Sequence, residues 1–337
     1  MSTKVEHKTI KPICEKHPQD NVHTLALLDH DSLHAPPLKE SNQKRLFQKR
    51  AKAKAYSNAL VFSLVDANPH SHLVKSYWNT YHCNNILLQE GQKVSASFCN
   101  NRWCVVCNRV RTAKLINGYK NELDTFKEPT FLTLSRPNIQ GRYLRTGNEQ
   151  NIKSLSNIIR NTKERLKTIV RAIRKVEITH NKDTKDFHPH YHFVIDGQDI
   201  AETIKNKWLS EHSDAHEKGQ DIQPATDGTL LEIFKYVTKL VGKEGTEPKA
   251  LNTIFSALRN KRAIQAYGLK KTVSENIEKE QTNNIDFKDP KIEIWLYDNY
   301  DWIASSGETF SDYIPHQDTI ELIKSINLNY GNDKDRP

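Results

Sequence analysis

Residues 175–195 read KVEITHNKDTKDFHPHYHFVI. Two runs of alternating residues flank a polar connection, NKDTKDF, which is the pattern of a β-hairpin. In a strand, alternate side chains face the same way. His188, His190 and His192 therefore share one face, while Pro189, Tyr191, Phe193 and Ile195 share the other, which is apolar. On the first strand Glu177 faces away from Val176 and Ile178, which places it across the hairpin near His192. Two imidazoles one alternation apart, with a carboxylate, suit a divalent metal that keeps positions open for substrate. His188 is a further candidate, as a third ligand or as a partner of one.

Outward from the hairpin, strands and helices interleave. PTFLTLSR (129–136) reads as a strand ending at Pro137, and PNIQGRYLRTGNEQ reads as a polar loop. Leu155, Ile158, Ile159, Leu166 and Ile169 recur at helical spacing within 151–172. Residues 198–213 and 229–242 read as further helices. This order predicts an α+β fold: a mainly antiparallel sheet covered by helices on one face. Beyond residue 245, KALNTIFSALRNKRAIQAYG reads as a helix and KIEIWLYDNYDWIAS as strand.

The helix expected over 229–242 carries the second motif. At about 100° per residue, Leu230, Ile233, Phe234, Val237, Leu240 and Val241 form one aliphatic stripe. Glu232, Tyr236, Lys239 and Lys243 cluster opposite it. Glu232 and Tyr236 stand at i and i+4, Tyr236 and Lys239 at i and i+3, so both pairs can touch. A lysine favours phenolate, and a carboxylate can accept a proton from tyrosine or from water. Tyr267-x-x-Lys270 repeats part of the pattern, but Ala263 stands where the glutamate would be. Taken singly, each motif also reads as ordinary surface: a polar strand face, and an amphipathic helix with a tyrosine at its rim.

The chain has 337 residues, a formal net charge of +9 and 36% hydrophobic residues. A basic balance favours a polyanionic partner such as nucleic acid. No apolar run approaches the roughly 18 residues that span a bilayer, and no signal-peptide core is visible, so a cytoplasmic protein with no membrane partner is expected. Residues 41–63 read as a helix whose cations Lys44, Arg45, Lys49, Arg50, Lys52 and Lys54 either track phosphates or line a solvated face.

Cys83, Cys99, Cys104 and Cys107 follow the spacing C-x15-C-x4-C-x2-C. A hairpin over 86–98 would return Cys83 to Cys99, and four thiolates suit a closed structural Zn²⁺ site. Reduced, buried cysteines are the alternative. Cys14 with His17, or His82, can replace ligands in that set. Arg102, Arg109 and Arg111 flank the cluster, and Arg136 ends the 129–136 strand; these are candidate DNA contacts.

A histidine strand followed by Glu-x-x-x-Tyr-x-x-Lys resembles the replication initiator proteins of rolling-circle plasmids, within the HUH endonuclease superfamily. FLTLSRPN (131–138), HPHYHFVI (188–195) and EIFKYVTK (232–239) are similar to that family's first, HUH and tyrosine motifs, the last of the single-tyrosine type with an upstream glutamate. The resemblance implies a ferredoxin- or RRM-like core and a DNA nicking-joining endonuclease. It divides the chain into a flexible segment (1–40), a basic helix with a cysteine-rich zinc ribbon-like segment (41–127), a nuclease core (128–245) and a C-terminal extension (246–337) suited to DNA binding. By that resemblance Tyr236 attacks the double-strand origin and becomes linked to a 5′-phosphate. His190 and His192, with Glu177, hold Mg²⁺ or Mn²⁺, Glu232 activates the terminating water or hydroxyl, and Lys239 positions the phenolate and phosphate. Origin DNA, single-stranded and hairpin DNA, a host helicase and a DNA polymerase are the implied partners. A transposase or relaxase with the same chemistry, and a non-catalytic zinc-ribbon DNA-binding regulator, are the competing expectations.

Overall fold

The computed structural model describes residues 40–226, Ile233, 247–270 and 291–328. The histidine hairpin forms as the alternation requires. Strands β4 (Ala172–His180) and β5 (Phe187–Asp196) pair antiparallel, with Glu177 opposite His190 and Lys175 opposite His192. Strand β3 (Pro129–Ser135) lies on the other side of β5, and β6 (Asp221–Pro224) and β7 (Ile264–Tyr267) form the edges. All four pairings in the order β6-β3-β5-β4-β7 are antiparallel.

One face of this sheet carries Leu132, Leu134, Ala172, Val176, Tyr191, Phe193 and Ile195. It is covered by helices Gly141–Leu166, Ala201, Ile204 and Trp208 of Gln198–Glu211, and Leu251, Ile254 and Phe255 of Pro248–Leu258. Among the described residues, the other face is covered at one end. There Leu115, Ile116, Tyr119 and Leu123 of the helix Val105–Leu123 pack on Phe131, Ile173 and Val194. Numbered in chain order, the helices are α1 (Glu40–Ala67), α2 (Val74–Tyr81), α3 (Val105–Leu123), α4 (Gly141–Leu166), α5 (Gln198–Glu211), α6 (Pro248–Leu258) and α7 (Gln317–Leu328). The fold is α+β, as expected, with a helix also closing part of the second face.

A second antiparallel sheet holds the cysteine segment. Its order is β2-β1-β8-β9, from β1 (Ile86–Glu90), β2 (Lys93–Ala96), β8 (Ile292–Asp298) and β9 (Asp301–Ala304). The β1–β2 hairpin turns at Gly91, whose φ of 58° lies in the left-handed region that glycine adopts without strain. The single strand expected over 291–305 is thus a hairpin, turned at Asn299 and Tyr300, both at positive φ. Residues after 246 supply β7 to one sheet and β8 and β9 to the other.

Helix α1 passes through both units. Phe47, Ala51, Ala53, Ala55, Tyr56 and Ala59 belong to the core of the cysteine unit, while Leu60, Val61 and Leu64 belong to the core beneath the histidine sheet. Ala51, Ala53, Ala55 and Ala59 let neighbouring elements approach the helix closely. Of the cations singled out over 41–63, Lys54 is enclosed, whereas Lys44 and Arg45 are exposed and Lys49, Arg50 and Lys52 are half-buried. Arg50 lies 4.6 Å from the centre of the Phe47 ring, Lys44 pairs with Asp312, and Lys54 is 0% exposed.

Candidate active site

The histidine patch is assembled by three neighbouring strands. His192 faces Thr133 on β3 and Lys175 on β4; His190 faces Ser135 and Glu177. The Thr133 hydroxyl lies 3.1 Å from His192 Nδ1 and the Phe131 ring stacks on the imidazole, so the ring is held with Nε2 toward β4. There Glu177 Oε2 stands 3.5 Å from His192 Nε2 and 3.1 Å from Lys175 Nζ. The His190 and His192 rings lie 6.0 Å apart, inclined by 21°. An ion bonded to one nitrogen of each ring would lie about 3 Å from each ring centre, but the donor atoms of His190, His192 and Glu177 do not all come within 4.8 Å of one another. Two imidazoles and a carboxylate are the residue types that a hard or borderline divalent cation takes; here only Glu177 and His192 stand side by side. His188 packs against His190, 4.2 Å between ring centres, and burial holds its pKa below the usual imidazole value.

Glu232, Tyr236 and Lys239 lie outside the described residues. Ile233, beside Glu232, is 1% exposed and packs in the cluster of Phe131, Ile173 and Val194. Those three share the sheet face of His192 and Lys175 by strand alternation. Tyr119 of α3 is buried on this same face, whereas two tyrosines of the sheet strands themselves sit on its far side. Tyr191 is 0% exposed, donates to Asn148 Oδ1 at 2.8 Å, and is pushed by burial well above the usual phenol pKa. Tyr267 pairs with Ala172 on the core side, where its hydroxyl accepts from Arg174 at 3.2 Å.

The four arginines singled out from the sequence have work inside the fold. Arg111 is 3% exposed and donates to Asn108 Oδ1 and the Asn100 carbonyl, so it does not face solvent DNA. Arg109 donates to the Lys49 carbonyl at 2.9 Å, and burial, with Arg50 nearby, lowers its pKa to about 10. Arg136 is clamped by Asp214 at 2.8 and 3.1 Å and by Asn151 at 2.8 Å. Arg102 is half-buried, and its carbonyl accepts from Asn108.

The cysteines converge. Cys83, Cys99, Cys104 and Cys107 bring their sulfurs within 4.8 Å of one another, the one such His, Cys, Asp or Glu cluster among the described residues. Cys107 Sγ lies 3.5 Å from Cys83 Sγ and 3.6 Å from Cys99 Sγ. Four sulfurs on a tetrahedral ion at metal–sulfur bonds of about 2.3 Å would stand roughly 3.8 Å apart, so the group can hold a metal. Hairpin closure does bring Cys83 to Cys99, whose amide donates to Cys83 Sγ at 3.4 Å. Cys104 caps helix α3 and accepts from the Cys107 amide at 3.4 Å; its thiol is pushed well above its ordinary pKa by burial. A positive helix end and N–H donors both favour sulfur in its anionic form once a cation is present. Lys54, close by, is lowered to about 8 by burial, with the four sulfurs acting in the opposite direction. Cys14 and His17 lie outside the described residues, and His82 Nδ1 faces Asn85 Nδ2 at 3.5 Å.

Residues 91–197 match a family described as replication protein. The chain resembles replication proteins of the Rep type. It is 25% identical over 221 residues to "Protein rep" of Streptococcus pneumoniae serotype 2, covering 57% of this chain and 67% of that one. It is 32% identical over 133 residues to "Protein rep" of Staphylococcus aureus, covering 37% of this chain and 56% of that one. The chain thus spans two thirds of one relative and little more than half of the other. No solved structure matches it at a significant level. The Rep-like span 91–197 contains Cys99, Cys104, Cys107, Glu177, His190 and His192, and stops short of Tyr236. No described helix is long and apolar enough to cross a membrane.

Sequence reading missed Thr133 and Lys175 as members of the patch. Thr133 sits in FLTLSR, and its alternation with Phe131 and Ser135 was readable; what was not readable is the β3–β5 register that sets it against His192. Lys175 opens the strand KVEITH two residues before Glu177, so the same alternation that selected the glutamate selects the lysine.

Proposed function

We propose that this chain starts rolling-circle replication of a plasmid by nicking one strand at the double-strand origin. The observation that carries the reading is Ile233. It packs on the sheet face that His190, His192 and Glu177 share, one residue from Glu232 and three from Tyr236. That anchor supports placing the tyrosine segment against the sheet face that carries the histidines.

In this reading the Tyr236 oxygen attacks the scissile phosphorus. The new bond joins phosphorus to the tyrosine oxygen, and the bond to the 3′-oxygen breaks. The phenol proton passes to Glu232 or water, and the departing oxygen takes up a proton as the free 3′-OH used by polymerase. His190, His192 and Glu177 would hold Mg²⁺ or Mn²⁺, which neutralises the charge growing on the phosphate. Lys239 favours the phenolate and positions the phosphate. At the end of a round Glu232 deprotonates water or the incoming hydroxyl, so a second tyrosine is not needed. The four cysteines would hold Zn²⁺ as a structural centre stiffening the N-terminal unit. We further assign the protein to the cytoplasm, with origin DNA, host helicase and polymerase as partners. The HUH-type core would be formed by residues 128–245, with the cysteine unit before it and the C-terminal residues completing both sheets.

The test is incubation with supercoiled origin plasmid and Mn²⁺, followed by denaturing electrophoresis. A covalent protein–DNA adduct is expected, and Tyr236→Phe should abolish it. An adduct that persists in Tyr236→Phe moves the nucleophile elsewhere; tight origin binding without any nicking makes the chain a zinc-ribbon regulator. Glu232→Ala should nick once yet fail to terminate.

A further inference from the structure

We infer that Lys54 is the internal counter-charge of the cysteine centre: its enclosed ammonium offsets part of the negative charge of the four sulfurs and so strengthens their hold on Zn²⁺. The inference rests on the reading of Cys83, Cys99, Cys104 and Cys107 as a zinc site and does not depend on the nickase reading.

Lys54 lies in the middle of α1 and is 0% exposed. A buried ammonium is unfavourable unless an anion stands near it. Among the described residues no carboxylate pairs with Lys54. Its Nζ donates to the Tyr81 carbonyl, a neutral acceptor two residues before Cys83. The rings of Tyr81 and Tyr297 lie 5.4 and 5.5 Å from Nζ. Burial works against the charge, and the four sulfurs, Cys83 foremost, work for it. Ser57 stands three residues further on, and so on the same helix face. Its hydroxyl lies 4.0 Å from Cys104 Sγ and accepts from the Val105 amide at 3.0 Å. This face of α1 therefore lies against the cluster and the start of α3. Four thiolates around one divalent ion leave two negative charges in excess. The N–H groups of Cys99, Cys107 and Asn84 that point at sulfurs spread this charge without cancelling it. An ammonium cancels one whole charge, and in enclosed surroundings little solvent screens the attraction. Lys54 acts through the sulfurs as a positioning residue and transfers no proton or electron.

Two neutral replacements separate charge from support. Lys54→Gln keeps an N–H donor for the Tyr81 carbonyl, and Lys54→Met keeps the bulk of the stem; both lose the charge. The measurement is titration of Zn²⁺ into the full chain in competition with a chromophoric chelator. We expect both variants to bind Zn²⁺ about tenfold to a hundredfold more weakly than wild type, by factors that agree within about threefold. Lys52→Gln removes the same charge from a half-buried position of α1, where Nζ faces the Tyr56 ring, and should bind as wild type does. Wild-type affinity in either Lys54 variant would make the lysine a prop or a space-filler and overturn the inference. An equal loss in Lys52→Gln would assign the effect to overall charge and overturn it too. If one Lys54 variant fails to fold, the other decides; if neither folds, packing alone accounts for the lysine and the inference falls. If wild type binds no Zn²⁺, the zinc reading falls and this inference with it. If wild type binds Zn²⁺ and the Lys54 variants bind it equally well, only the inference falls.

Discussion

His212 shows how a single residue on the helix-covered side of the sheet ties the fold to pH. Its Nε2 meets the Ser154 hydroxyl at 3.0 Å and its ring packs on Trp208, 4.1 Å between centres. Burial, and then Arg136, hold its pKa below 6.5. Such a group takes up a proton on unfolding more readily than in the fold. Its contribution is therefore complete above about 6.5 and is lost as pH falls toward the folded value. We expect the melting temperature of the wild type to drop between about pH 7.5 and pH 5, and His212→Gln to drop less. An equal drop in both proteins would remove His212 from the account. At this scale the sequence was most legible where strand alternation decides: His190, His192 and Glu177 share one sheet face, with Glu177 beside His192, as the pattern of the hairpin requires. It was least legible for charge. Arg111 and Lys54 look like surface cations in the linear chain, and only packing reveals that both are enclosed.

At the scale of elements, boundaries moved more than identities. Helix α4 begins at Gly141, inside the stretch PNIQGRYLRTGNEQ that reads as loop, and ends at Leu166 with Lys167 in the left-handed region. The early turns are helical because Leu144 continues the apolar face of Leu155, Ile158 and Ile159 into the core. That core lies on β3 and β5, which no local pattern announces. The stretch 249–268 splits for a related reason: α6 stops at Leu258, Asn260 takes a φ of 60°, and the chain returns as β7 to complete the sheet edge. Leu155 is fully buried between α4 and the sheet. Leu155→Ala should cost roughly 2–5 kcal/mol in a urea melt; a loss near zero would mean that α4 does not carry the sheet.

For the whole molecule, the feature hidden from local reading is the second sheet. Strand β8 pairs with β1, aligning Leu296 with Ile86, and so brings the last part of the described chain onto the cysteine hairpin. Trp302 Nε1 donates to the Asn84 carbonyl at 2.8 Å, while Asn84 Nδ2 donates to Cys83 Sγ at 3.6 Å. The C-terminal hairpin thus braces the backbone beside one sulfur of the cysteine cluster. Trp302→Phe keeps the ring and loses the donor. It should release metal to a chelating dye roughly tenfold faster than wild type, and identical release rates would show that the brace is idle.

The β1–β8 pairing also fixes an order of events in the life of the polypeptide. A ribosome delivers the cysteine hairpin early and its partner strand late, after the histidine sheet has been threaded between them. Until β8 emerges, the edge of β1 offers its amides and carbonyls to any passing strand. Closing so distant a contact is slow. The half-made chain is therefore the state most exposed to aggregation.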